Sequence, residues 1–204
     1  MNSKNIKSNR EQILKLCYLA LLTALVFVLQ LFAGNIRLGG MFSISLVLFP
    51  IVLGASLVGP LGGAWLGFVF ALAVFYTGDA SAFLVVNPFG TIVTVVLKGV
   101  LAGLFSGIVY KLFSRTRPYL RVMVASAVCP LANTGIFLLG CLIFFMPTLT
   151  EWGASYGYAN AGAYMIFGLT GMNFVLEFSI NVVLASVLVR LIEMLERQLG
   201  IYRK

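Results

Sequence analysis

Apolar stretches of roughly 18 residues or more recur from one end of the sequence to the other, and each is long enough to cross a hydrocarbon core of about 30 Å. Inside lipid every backbone N–H and C=O must be bonded within the chain, which leaves helices or a closed barrel. Barrel strands alternate apolar and polar residues; these stretches do not, so the barrel is excluded. The expected fold class is all-α, an integral membrane bundle of about six transmembrane helices. Charged residues make up 10% of the chain and hydrophobic ones 61%. Soluble domains carry about 25% charge, so a water-facing surface cannot be built here. One membrane-embedded domain over residues 1–204, with a basic arm at 1–11, is the expected organisation.

Helices are expected at about 12–33, 42–58, 61–77, 90–112, 122–146 and 165–195, with Pro50 kinking the second. The segments Gly34 to Gly40, Gly78 to Pro88, Lys111 to Arg121 and Pro147 to Tyr164 read as connections. The N-terminal apolar run has spanning length and no small-residue cleavage site, so it reads as the first helix rather than a leader.

Net charge is +8, but its placement argues against nucleic acid. Of 14 Lys and Arg, 12 fall in three clusters, at 4–15, 111–121 and 190–204, each beside an apolar run. Six passes put all three on one side, which anchors both termini on the anionic cytoplasmic lipid surface of the cell membrane. Only Arg37 falls on the outer side, and Lys98 lies inside a helix.

Catalytic devices are missing from the sequence. There is no histidine, and Cys17, Cys129 and Cys141 lie in apolar runs without metal-ligand spacing. There is no phosphate-binding Gly-rich loop, H-E-x-x-H or nucleophile elbow. No catalytic residue, metal or cofactor is expected.

Charges at membrane depth are costly and mark function or internal pairing. Lys98 is expected about 11 Å below the outer face, Asn173 about 12 Å and Glu177 about 18 Å, at 1.5 Å per residue. Asn173, Glu177 and Asn181 repeat at i, i+4, i+8, so they share a face that must look into the bundle. Two readings stay open here. Lys98 and Glu177 form an internal ion pair with amide neighbours, or Lys98 and Asn173 floor a pocket that opens outward, joined by Asn133 and Thr134. In the second reading Arg37 closes over an anionic ligand. The last outer loop, with Trp152, Tyr156, Tyr158 and Asn160, is either an aromatic membrane belt or a lid over a small organic molecule.

Small residues form stripes: Ala20 and Ala24 in the first helix, Gly63, Gly67 and Ala71 in the third, Gly99, Gly103 and Gly107 in the fourth. Such stripes let helices approach closely, within the bundle or against a partner. The stretch Phe49 to Phe75, FPIVLGASLVGPLGGAWLGFVFALAVF, resembles the second and third helices of the substrate-binding S components of energy-coupling factor (ECF) transporters. Ala20-x-x-x-Ala24 is similar to that family's docking motif for its coupling subunit. Asn87 to Lys111, NPFGTIVTVVLKGVLAGLFSGIVYK, looks most like the pantothenate-type members.

The resemblance implies a vitamin-like ligand bound from outside, in a pocket made by the outer halves of helices 4 to 6 and the outer loops, Asn87 among its residues. It also implies a transmembrane coupling subunit and two ATPases as partners. Lys98 at depth further suggests a small carboxylate, with pantothenate first and folate-, biotin- or nicotinate-like acids behind it. An ion-coupled carrier and a membrane enzyme acting on lipid-linked substrates are the competing readings.

Overall fold

The computed structural model describes residues 3–33, 37–38, 42–43 and 46–199. Its helices are α1 (Ser3–Ala33), α2 (Leu48–Leu57), α3 (Pro60–Thr77), α4 (Ser81–Val86), α5 (Pro88–Leu112), α6 (Pro118–Phe144), α7 (Met146–Ser155), α8 (Ala161–Ala163) and α9 (Met172–Leu199). A π-helical stretch, Tyr164–Gly171, joins α8 to α9. A ribbon of two short strands, β1 (Arg37–Leu38) and β2 (Phe42–Ser43), precedes α2 and pairs Arg37 with Ser43. Among the described residues, five helical stretches are long and apolar enough to cross a membrane: 9–32, 60–77, 88–112, 118–144 and 161–195.

Several expectations change. The second predicted span contracts to the ten residues of α2, about 15 Å long, half of a hydrocarbon core. Every α2 residue but Phe49 is buried, because the helix is wrapped by others on all sides. Pro50 does not kink it. It sits in the first turn, where the missing N–H has no helical acceptor to lose. The chain still traverses the bundle between α1 and α3. Gln30, near the end of α1, bonds Asp79 beyond α3, whereas Gly59 ahead of α3 lies against Lys111 at the opposite, basic end. The arm at 1–11 is helical from Ser3, and a Glu11–Lys15 pair at 2.6 Å supports it at i, i+4 spacing. The connections at 78–88 and 147–164 contain α4 and α7.

The glycine stripes of α3 and α5 face each other. A Cβ on Gly67 would overlap the Gly99 carbonyl oxygen, and one on Gly103 would overlap that of Gly63. Gly107 meets Pro60 in the same way. The two backbones touch, as only glycine allows. The main core lies along this seam, with Ile51, Leu66, Phe70 and Val95 on one side and Cys129, Ala185 and Leu188 on the other. A second, smaller core sits at the end away from the basic clusters, where Phe83, Phe145, Leu149, Tyr164 and Leu169 pack together.

Candidate functional site

Between the two cores the helices part around a cavity of about 850 Å³, open mouth included. Its wall comes from α1, α3, the turn at Asp79 and Ala80, α4, α5, α6, the π-helical stretch and α9, with Phe145 between α6 and α7. The polar lining is Lys98, Asp79, Glu177, Gln30, Asn133, Asn173 and four threonines, set among Phe70, Phe83, Phe137, Phe145 and Phe174. A few polar groups in an aromatic wall is the usual make-up of a small-molecule site.

Each group is placed by its helix. Pro88 opens α5 at a position where no N–H is needed, and Asn87 caps it, its side-chain oxygen accepting from the Gly90 N–H at 2.9 Å. Lys98 then lies ten residues into α5, about 15 Å below that rim at 1.5 Å per residue. Its Nζ stands over the rings of Phe137 and Phe70, 5.2 and 5.7 Å from their centroids. These are cation–π distances, worth most where water is excluded. Asn133 follows Pro130, which sits inside α6 and breaks one helix bond there. Glu177 and Asn181 are both buried, and the Asn181 amide donates to the Glu177 backbone oxygen at 2.8 Å. The stripe of Asn173, Glu177 and Asn181 thus faces inward, its upper two members at the cavity. Thr170 holds the π register by donating to the Met165 oxygen, five residues back, at 2.9 Å. π turns of this kind concentrate at functional sites.

Of the ten residues expected at a ligand, four line this cavity: Lys98, Asn133, Asn173 and Glu177. Asn87 is a helix cap beside it. Trp152, Tyr156, Tyr158 and Asn160 are not part of its lining. Trp152 packs edge-on against Phe83 at 5.5 Å, Tyr156 stacks on Tyr164 at 5.8 Å, and Tyr158 leans on Tyr164 at 5.3 Å. Asn160 caps α8, accepting from the Ala163 N–H at 2.8 Å. The Arg37 backbone belongs to the ribbon, and its side chain lies outside the described residues.

Asp79, with Glu151 and Glu177, was among the acids that could face a site, but Gln30, Thr91, Thr94, Thr170 and the aromatic lining were not legible as site residues. Gln30 is 49 residues from Asp79, yet its Nε2 donates to Asp79 Oδ2 at 2.6 Å. The one available signal was Gln30 itself, a lone amide inside an apolar run.

Ala20 and Ala24 lie elsewhere, on a face of α1 that nothing in the described chain covers. Ile13, Cys17, Ala20, Ala24 and Val28 recur at helical spacing and are all exposed. No curated protein and no solved structure matches the chain. A family model, the ECF transporter substrate-specific component, matches residues 14–189. With apolar helices of spanning length and a match over most of the sequence, the chain belongs to the substrate-specific components of ECF transporters, multi-pass proteins of the bacterial cell membrane that serve transport and are not enzymes.

Proposed function

We propose that this substrate-binding subunit captures a small, water-soluble, vitamin-like nutrient from outside in the cavity around Lys98. The ligand's acidic end, a carboxylate of the pantothenate kind, pairs with the Lys98 ammonium, while Asn133 and Asn173 bond its other polar groups. The observation that carries this reading is Lys98 itself, an ammonium held between two aromatic rings at the floor of an open cavity. In such a site charge-assisted bonds are strongest. Both termini and the basic clusters face the cytoplasm, so the mouth faces out. Release needs partners, a transmembrane coupling subunit and two ATPases, and Ala20 and Ala24 form the surface on which the coupling subunit docks.

Native mass spectrometry of the purified chain identifies a retained small molecule. Titration with that molecule or with pantothenate in detergent, without ATP or an ion gradient, then measures affinity. Lys98→Met is expected to weaken binding about tenfold or more, the scale of a lost charge-assisted bond. If Lys98→Met combined with Glu177→Gln restores near-native affinity, Lys98 serves only to neutralise Glu177 and the carboxylate is withdrawn. A strict need for sodium or a proton gradient at the binding step would favour an ion-coupled carrier.

A further inference from the structure

We infer that the upper half of the cavity is a second subsite, built to receive hydrogen-bond donors from the part of the ligand beyond its acidic end. This rests on the cavity being the nutrient site. Three lining side chains hold buried oxygens with no hydrogen-bond partner: Gln30 Oε1 and Thr94 Oγ1 above Lys98, and Asn133 Oδ1, eleven residues from the outer end of α6 and so about level with Lys98. Their residues are 1%, 4% and 6% exposed. The Gln30 orientation is fixed by chemistry. A carboxylate only accepts, so the amide must turn its N–H to Asp79 and leave its oxygen over.

Two neighbouring hydroxyls do not supply the missing donors. The Thr91 hydroxyl is committed to the Asn87 oxygen at 2.8 Å and that of Thr170 to the Met165 oxygen. Buried acceptors without donors are costly and rare, so native sites fill them with water or ligand.

The arrangement is also ordered in depth. Thr91, Thr94 and Lys98 follow one another at three- and four-residue spacing, one stripe of α5 about 10 Å long. The Gln30–Asp79 bond closes its upper end. A ligand lying along this stripe presents an acid to Lys98 and amide N–H or hydroxyl groups above it. A bare carboxylate of the same length would strand the acceptors.

Four acids test this on the full-length chain in detergent, by calorimetric titration and thermal shift. Pantothenate and biotin carry N–H or hydroxyl donors beyond the carboxylate; heptanoate and nicotinate carry none. Pantothenate or biotin is expected to bind about tenfold or more tighter than heptanoate, the equivalent of one to two satisfied hydrogen bonds. Thr94→Val and Gln30→Met should each weaken pantothenate or biotin more than heptanoate and so erase most of that advantage, whereas Lys98→Met weakens every acid that binds. Thr94→Val keeps the side-chain shape that packs on Gly140, so it separates a lost hydroxyl from a lost fold. Heptanoate binding as tightly as the best donor-bearing acid overturns the subsite, as does full affinity in both Thr94→Val and Gln30→Met. Failure of all four acids overturns the nutrient site itself and the subsite with it.

Discussion

Two stripes of small residues, alike in sequence, meet opposite surroundings. Gly63 and Gly67 on α3 are buried against Gly103 and Gly99 on α5, backbone on backbone. Ala20 and Ala24 on α1 are exposed, in a row with Ile13, Cys17 and Val28. Small residues permit close approach but do not say to what. On α3 the approaching helix is in the same chain; on this face of α1, among the described residues, none approaches. The glycine seam therefore holds the bundle together, while the alanine stripe is the exposed one, the face proposed above for docking.

The largest expected effect comes from filling the seam. Gly67→Val puts a branched side chain where the Gly99 carbonyl already lies. The clash is with backbone, so no rotamer relieves it, and the cost exceeds the roughly 1–3 kcal/mol of ordinary overpacking. The variant should fail to accumulate in membranes, or melt far below the parent in detergent. A Gly67→Val protein that purifies in normal yield and binds ligand would show that α3 and α5 do not need this contact.

Filling the exposed stripe should leave the chain folded. Ala24→Trp adds bulk on the open face of α1 and touches none of the cavity lining. Ligand affinity should stay within about twofold, as for surface changes worth ±0.5 kcal/mol, while co-purification with the coupling subunit and nutrient uptake are lost. Normal assembly by this variant would break the distinction between the two stripes and remove α1 as the docking face.

How far the sequence reached differs between these regions and the site. Apolar run length located the five long helices, because a bilayer sets that length from outside. It failed for α2, where the same apolar signal marks a helix buried by its neighbours rather than by lipid. Periodicity gave the inward face of Asn173, Glu177 and Asn181, since one helix fixes their spacing. It could not give Gln30 beside Asp79, a contact between distant segments that only packing brings about. The aromatic loop shows the same limit. Trp152, Tyr156 and Tyr158 read by residue type as either a membrane belt or a lid, and residue type alone did not show that their rings pack on Phe83 and Tyr164.

The smallest expected effect sharpens the comparison most. Gly135 lies in α6 one residue from Thr134 of the cavity wall, and no atom stands within 4 Å of where its Cβ would be. It borders an apolar groove lined by Leu131, Leu138, Ile166 and Phe167, on the outside of the bundle. Its φ is ordinary for a helix, since the positive values belong to Gly59, Gly78 and Gly157. Neither space nor backbone conformation therefore calls for glycine there. Gly135→Ala should be neutral or slightly stabilising, by up to about 0.5–1 kcal/mol, because alanine loses less conformational freedom on entering a helix. Ligand affinity should not change, since a methyl on the groove side adds nothing to the cavity. Thermal melts of Gly135→Ala beside Gly67→Val then ask whether the penalty follows the atoms a side chain would meet or merely the loss of a glycine. If Gly135→Ala destabilises as strongly as Gly67→Val, the contact geometry of the α3–α5 seam is not what makes its glycines necessary.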